Sequence, residues 1–346
     1  MPFDLPAEHP WRPILDGAGA RLGAHGLDFG DDEAERRAVL AGTALAPLTD
    51  RALLRATGED AASFLHNQLA ADLRGLGADA IQPAAYCNPQ GRVIALPWLW
   101  RDDGGFWLSM PRELAEPVAA RLARYILRSK VRLAAEADRL GLGVAGGAAL
   151  ARLSETLGPA PPVGRWRRHG ALDWLRLPGT ARCVLWGPAA DIAALFEALR
   201  AAGTPAVGPD AWALADLELA IPEVWPETSE RFLPQALGLE RLGAVSLRKG
   251  CYPGQEVIAR LHYRGQIKRR LYRFGCAQGA PPPRAAALWP AAAERHSAIG
   301  EVADARRRPG GGVLGLAVAR SDSPAAVLED GRRLDWAPAE PTWPEA

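Results

Sequence analysis

Apolar and polar positions change period repeatedly along the chain, and the changes outline its elements. Ala52-Leu53-Leu54-Arg55-Ala56 reads as a strand, Gly58-Glu59-Asp60 as a turn and helix cap, and 61–73 as a helix turning Phe64, Leu65 and Leu69 inward. A hairpin follows, with Asn88-Pro89-Gln90-Gly91 as the turn between strand-like 84–87 and 93–99. Asp102-Asp103-Gly104-Gly105 makes a second turn before a strand at 106–110. An amphipathic pattern predicts a helix over 112–127, and 130–133 reads as another strand.

Prolines 159, 161 and 162 mark 155–170 as a loop between units. Beyond it the pattern predicts strands at 172–177 and 183–186 and helices at 189–202 and 210–220. A strand-rich tail begins at 269–274. There Pro281-Pro282-Pro283 and Pro309-Gly310-Gly311-Gly312 punctuate short segments such as 314–319, as in a small β-barrel. Helices and hairpins mixed in this way predict an α+β fold rather than a doubly wound sheet. The expected units are 1–155, 156–268 and 269–346. The acidic region 28–35 reads as a solvated stretch and receives no function.

Length agrees with two or three units, since 346 residues exceed the usual span of one domain. The 48% hydrophobic and 23% charged fractions are those of an ordinary globular protein, and a net charge of +1 confines any nucleic-acid surface to a local patch. The opening Met1-Pro2-Phe3-Asp4-Leu5-Pro6-Ala7-Glu8 lacks the basic start and apolar core of a signal peptide. No run is long enough to span a membrane. The expected location is therefore the cytoplasm, with no membrane partner. The four cysteines, at 87, 183, 251 and 276, are too widely spaced for CxxC metal sites and read as reduced thiols, with no intrinsic metal expected.

Chemistry concentrates in Lys249-Gly250-Cys251-Tyr252-Pro253-Gly254-Gln255-Glu256, which packs a thiol, a cation, an amide, a carboxylate and two glycines into eight residues. Arg248 and Lys249 would favour the thiolate of Cys251 by direct charge. Lysine is rare here, with Lys130, Lys249 and Lys268 alone among 41 basic residues, so position 249 calls for a compact ammonium rather than a planar guanidinium. Cys251 has three readings. It is a buried structural thiol, a hydrolase nucleophile partnered by His262, or a redox-sensitive or ligand-contacting thiol in a positive setting supplied by Arg248, Lys249 and Arg260.

Residues 248–273 carry Arg248, Lys249, Arg260, Arg264, Lys268, Arg269, Arg270 and Arg273 against Glu256. This basic strand suits phosphates or a polyglutamate tail, with Tyr252, His262, Tyr263 and Tyr272 available to stack on bases; the plain alternative is a solvated strand face. Twelve tryptophans are many for the length; most are core, though aromatic faces also hold flat rings such as a pterin. Glu218 either faces solvent or turns into a pocket. The spacing Gly310-x-Gly312-x-x-Gly315 lacks a following helix and is a turn. The common nucleotidase, zinc-protease and serine-hydrolase signatures are absent from the sequence.

Residues 249–256 resemble the K-G-C-Y-x-G-Q-E signature of the YgfZ-type folate-binding proteins. Phe232-Leu233-Pro234-Gln235, Val257-Ile258-Ala259-Arg260, Gly58-x-Asp60-x-x-x-Phe64-Leu65 with Gln68 and Asp72, and Leu127-Arg128-Ser129-Lys130-Val131 extend the resemblance across about 45–275. It implies a three-unit aminomethyltransferase-like folate-binding fold with a C-terminal β-barrel, similar to the T-protein of the glycine cleavage system. It implies tetrahydrofolate, or a one-carbon derivative, as cofactor. The implied role is support of iron–sulfur cluster assembly or repair in client enzymes, those of tRNA modification included, with cluster carriers as possible partners. It marks Cys251 as the functional thiol beside Lys249, and Glu218, Tyr252, Gln255 and Arg260 as folate contacts, with Gly250, Gly254 and Glu256 completing the signature.

Two departures qualify this. The aminomethyltransferases carry a catalytic aspartate just after the hairpin glycine, whereas Gly91-Arg92-Val93-Ile94-Ala95-Leu96 has no carboxylate, which tells against aminomethyl transfer. The family's R-x-E-x-G becomes Asp216-x-Glu218-x-Ala220. A one-carbon transferase and a tRNA-binding protein remain the alternatives.

Overall fold

The computed structural model describes residues 5–342 except 7, 24–25, 180, 292–296 and 324. The opening segment that argues against a signal peptide thus lies partly outside the described residues. Two five-stranded antiparallel sheets and a closed six-stranded barrel organise the chain. The first sheet runs in the order Arg132–Ala135, Arg51–Thr57, Gly105–Pro111, Trp98–Asp102, Gln82–Pro83. The second runs Trp166–His169, Leu172–Arg176, Arg182–Pro188, Arg139–Ala145, Ala44–Pro47. The chain crosses between the sheets twice, once from Ala44–Pro47 to Arg51–Thr57 and once from Arg132–Ala135 to Arg139–Ala145. Leu48, Thr49 and Asp50 lie at the first crossing.

Strand alternation decides which side of the second sheet each residue serves. Along Arg182–Pro188, Val184 and Trp186 join the core shared with the first sheet, while Cys183 and Leu185 pack beneath helices Gly147–Leu157 and Ala189–Ala201. Trp100 Nε1 donates to Asp173 at 3.3 Å across the two sheets, and Arg139 and Arg168 pair with the same buried carboxylate. A buried charge needs such partners to be tolerated. The barrel, from Arg269–Cys276 to Arg333–Pro338, closes over its own core of Tyr272, Phe274, Leu288, Val302 and Ala317. Its closure leaves no open sheet edge.

Several elements differ from the sequence expectation. The helix expected over 61–73 is Ala61–Gln68, because Leu69 is already extended. The helix expected over 112–127 is Arg112–Ala123. The helix expected over 210–220 is two short pieces, Pro209–Trp212 and Leu214–Glu218. The acidic 28–35 region is not simply solvated. Asp31 caps helix Asp32–Leu40 through the Ala34 N–H, Glu35 is buried, and Arg36 is buried against Asp32 and Asp210 at 2.6 and 2.8 Å. The basic strand expected within 248–273 contains helix Gln255–Arg264, and strand begins only at Arg269. No helix among the described residues is long and apolar enough to cross a membrane.

Candidate functional site

The signature folds as a loop leading into a helix, docked on the first unit's hairpin. Gly254 caps helix Gln255–Arg264 at φ +82°, a left-handed conformation that favours glycine. A Cβ there would lie 2.5 Å from Asn88 O and 2.6 Å from Gly91 Cα. Asn88 holds that turn, accepting from the Arg92 N–H at 2.9 Å and donating to Glu230 at 2.6 Å, while Arg121 pairs with Glu230 at 2.5 Å. Ile258, fully buried, anchors the helix from below, and Gln235 donates to its carbonyl at 3.0 Å. Gly250, by contrast, has open space within 4 Å of where a Cβ would sit, and no left-handed φ.

Lys249 explains the rare lysine. Its buried Nζ donates to the carbonyls of His66, Leu69 (2.6 Å) and Ala71 (2.9 Å), at and just past the end of helix Ala61–Gln68. Three convergent acceptors use all three ammonium donors, an arrangement a planar guanidinium cannot match. The positive charge also suits a helix C-terminus. Burial pulls the ammonium down to about 8, with Asp72 opposing. Lys249 is thus committed to these carbonyls rather than to the Cys251 thiol. Gln255 donates to the Lys249 carbonyl at 3.1 Å, and buried Tyr252 places its ring 5.1 Å from the ammonium.

Cys251 itself is exposed, which removes the buried structural reading. The other cysteines are of a different kind. Cys87 and Cys183 are buried, each thiol pushed up to about 12 by desolvation, and Cys276 is half-buried near Arg332. Glu256 and Arg260 are exposed on the signature helix. His262 points to Glu240 at 3.5 Å rather than serving as a partner for Cys251. Among the described residues no group of three or more His, Cys, Asp or Glu gathers as a metal site.

A separate cavity, with about 810 Å³ of empty space including its mouth, opens where the two sheets and the barrel meet. Trp98, Trp186, Trp212 and Trp225 line it together with Leu48, Leu175 and Ile221. Room for two of these indoles comes from glycine. A Cβ on Gly141 or Gly143 would lie 2.8 Å from the Trp186 or Trp212 ring. Asp50, Arg51, Asp216, Glu223 and Asp304 supply the polar lining, and a register shift between Val302 and Asp304 brings the last of these from the barrel. Arg51 pairs with Glu223 at 2.7 Å and donates to Ser109 Oγ at 3.1 Å. Burial pushes the carboxyls of Asp50 and Glu223 up, against the opposing charge of Arg51. Asp50 Oδ1 is buried without a hydrogen-bond partner.

The sequence-predicted folate contacts are not the residues that line this cavity. Glu218 pairs with Arg308 at 2.9 Å, and Arg273 donates to the Glu218 carbonyl at 2.7 Å, so it joins helix Leu214–Glu218 to the barrel. Tyr252, Gln255 and Arg260 stay with the signature. The two departures from R-x-E-x-G are also structural. Asp216 pairs with Arg182 at 3.0 Å, and that guanidinium stacks on Trp212, so the neighbouring strand supplies a cation where the helix lacks one. Ala220 sits at φ +54°, with its N–H bonded to Leu217 O and the Ile221 N–H to Asp216 O. That is a helix-ending turn in which glycine is the usual residue. Sequence reasoning missed Asp50, Arg51 and Glu223. Thr49-Asp50-Arg51 lies just ahead of the strand read from Ala52 and drew no assignment, and Glu223 follows a proline in an unassigned stretch.

Among curated proteins, tRNA-modifying protein YgfZ of Escherichia coli O157:H7 (strain EC4115 / EHEC) is 34% identical over 231 residues, which cover 66% of this chain and 70% of the relative. The chain belongs to the YgfZ family. The protein of the same name from Shigella dysenteriae serotype 1 (strain Sd197) is 33% identical over the same shares. No family model matches the chain. Glycine cleavage system aminomethyltransferase T from Bartonella henselae superposes with a TM-score of 0.79, covering 97% of this chain and 99% of that one. At 17% identity that likeness establishes the fold, a T-protein-like α+β architecture ending in a barrel. Both agree with the family and fold read from the signature.

Proposed function

We propose that this YgfZ-family chain is a cytoplasmic folate-binding accessory protein that supports assembly or repair of iron–sulfur clusters in client enzymes, those of tRNA modification among them. The observation that carries the reading is the central cavity, whose lining includes four indoles and Asp50, a residue whose Oδ1 is buried without a hydrogen-bond partner. A flat heterocycle rich in N–H donors fits such a lining. The indoles cover its faces and Asp50 Oδ1 accepts from its edge. When bound, tetrahydrofolate would supply a one-carbon carrier. This chain's residues orient it, with Trp212 and Trp225 held by Arg182 and Arg284, whose guanidinium lies 3.7 Å from the Trp225 ring centroid. The pterin contact thereby moves from Glu218 to Asp50.

Binding is favoured over aminomethyl transfer by the aspartate-dependent route, since 92–96 hold no carboxylate and Arg92 reaches instead to the Arg231 carbonyl. Cys251 serves as the working thiol because it is the exposed cysteine and stands on a loop braced by Gly254 and Lys249. The test is complementation. In a strain lacking the protein, Cys251→Ala should fold normally yet fail to restore the activity of cluster-dependent tRNA-modifying enzymes. Full restoration by that variant would overturn the role given to the thiol.

A further inference from the structure

The central cavity has mostly carboxylates for its charged lining, so a polyanion has no place in it; a group of cations without carboxylate partners among the described residues stands instead on and beside the signature helix. Ile258 turns one side of helix Gln255–Arg264 inward, and Arg260, Tyr263 and Arg264, at i, i+3 and i+4, share the outward side. Arg248 before the helix and Lys268 and Arg269 after it are exposed as well. Arginines elsewhere are widely paired with carboxylates, as at Arg51, Arg121, Arg182 and Arg231. None of Arg248, Arg260, Arg264, Lys268 and Arg269 has a carboxylate partner among the described residues. Between these cations Tyr263 is 67% exposed, with the His262 ring edge-on at 4.9 Å. Five unneutralised cations around a protruding aromatic pair complement a phosphate backbone with accessible bases. A peptide of Asp and Glu alone would match the charge but offer Tyr263 and His262 no ring to stack on.

We propose that this outward face of the signature helix binds RNA directly, holding a transfer RNA against the loop that carries Cys251. This deepens the tRNA-related part of the function proposed above. It stands on surface charge rather than on the cavity, so folate binding and RNA binding can fail separately.

The experiment is fluorescence anisotropy of a labelled, unmodified tRNA transcript with the full chain over a series of salt concentrations. Wild type should bind with log K falling against log salt at a slope of about −4, as expected for roughly five phosphate contacts. The triple variant Arg264→Ala, Lys268→Ala, Arg269→Ala should lose about tenfold or more in affinity at low salt, with a slope shallower by roughly 2 to 3. Tyr263→Ala should weaken binding about tenfold while leaving the slope unchanged, the mark of lost stacking. Circular dichroism confirms that the exposed variants stay folded. Binding of tRNA that the triple variant leaves intact would overturn the proposal, as would no salt-dependent binding at all. A third overturning result is tighter binding of a pentaglutamyl than of a monoglutamyl folate that the triple variant abolishes, which would assign these cations to a folate tail.

Discussion

Replacing Gly254 with alanine sets a methyl group 2.5 Å from Asn88 O and 2.6 Å from Gly91 Cα, while the backbone must keep φ +82°. The left-handed conformation costs an L-residue about 1–2 kcal/mol. The overlap falls on backbone, not on a flexible side chain, and the Gly91 N–H is itself bonded to Asn88 O at 2.8 Å, so relief requires moving the turn. Overpacking of that kind costs roughly 1–3 kcal/mol. Together these predict a loss of about 2–5 kcal/mol, or else undocking of the signature loop from the hairpin. Gly250→Ala is the matched control. Open space and an ordinary backbone predict a change within about 0.5 kcal/mol. Urea denaturation reads the stability, and hydrogen exchange at the amides of Gly91 and Ile258 reads the docking. Equal stability and exchange for Gly254→Ala and wild type would refute the argument, as would a Gly250→Ala variant as damaged as Gly254→Ala.

Lys249→Arg should destabilise by about 1–3 kcal/mol in urea, because a larger planar group cannot meet three converging carbonyls, and a neutral effect would deny the ammonium its role. Lys249 also sets a pH dependence. Its folded value of about 8 lies below the ordinary 10.5, so the unfolded chain binds more protons between them and stability should rise as pH climbs through that window. Lys249→Met should lack that rise, and parallel profiles for the two proteins would contradict it. Ala220→Gly should stabilise by about 0.5–1 kcal/mol in thermal melts by relieving φ +54°; a lower melting temperature would show that the alanine is not strained.

Local pattern carried the elements whose stabilising contacts are near in sequence. Strand Arg51–Thr57 and the Asn88–Gly91 turn were legible because alternation and turn residues act over a few positions. Helix Gln255–Arg264 was not, since it has a single fully buried position, Ile258, and its outward arginines mask the period. The signature was legible as chemistry, though not as mechanics. Nothing near Lys249 in sequence shows that its acceptors are the carbonyls of His66, Leu69 and Ala71. The cavity was illegible for the same reason. Asp50, Trp98, Trp186, Glu223 and Asp304 meet only because the chain crosses between sheets and returns as a barrel. Glu218 looked like a ligand contact because its partner, Arg308, lies ninety positions away.

Calorimetric titration of tetrahydrofolate into wild type, Asp50→Asn and Glu218→Ala asks whether the cavity holds the pterin at Asp50. Wild type should show saturable one-site binding, weakened roughly tenfold or more by Asp50→Asn through loss of the buried carboxyl contact, and retained by Glu218→Ala. No binding by wild type, or binding lost in Glu218→Ala and untouched in Asp50→Asn, would contradict a pterin held at Asp50.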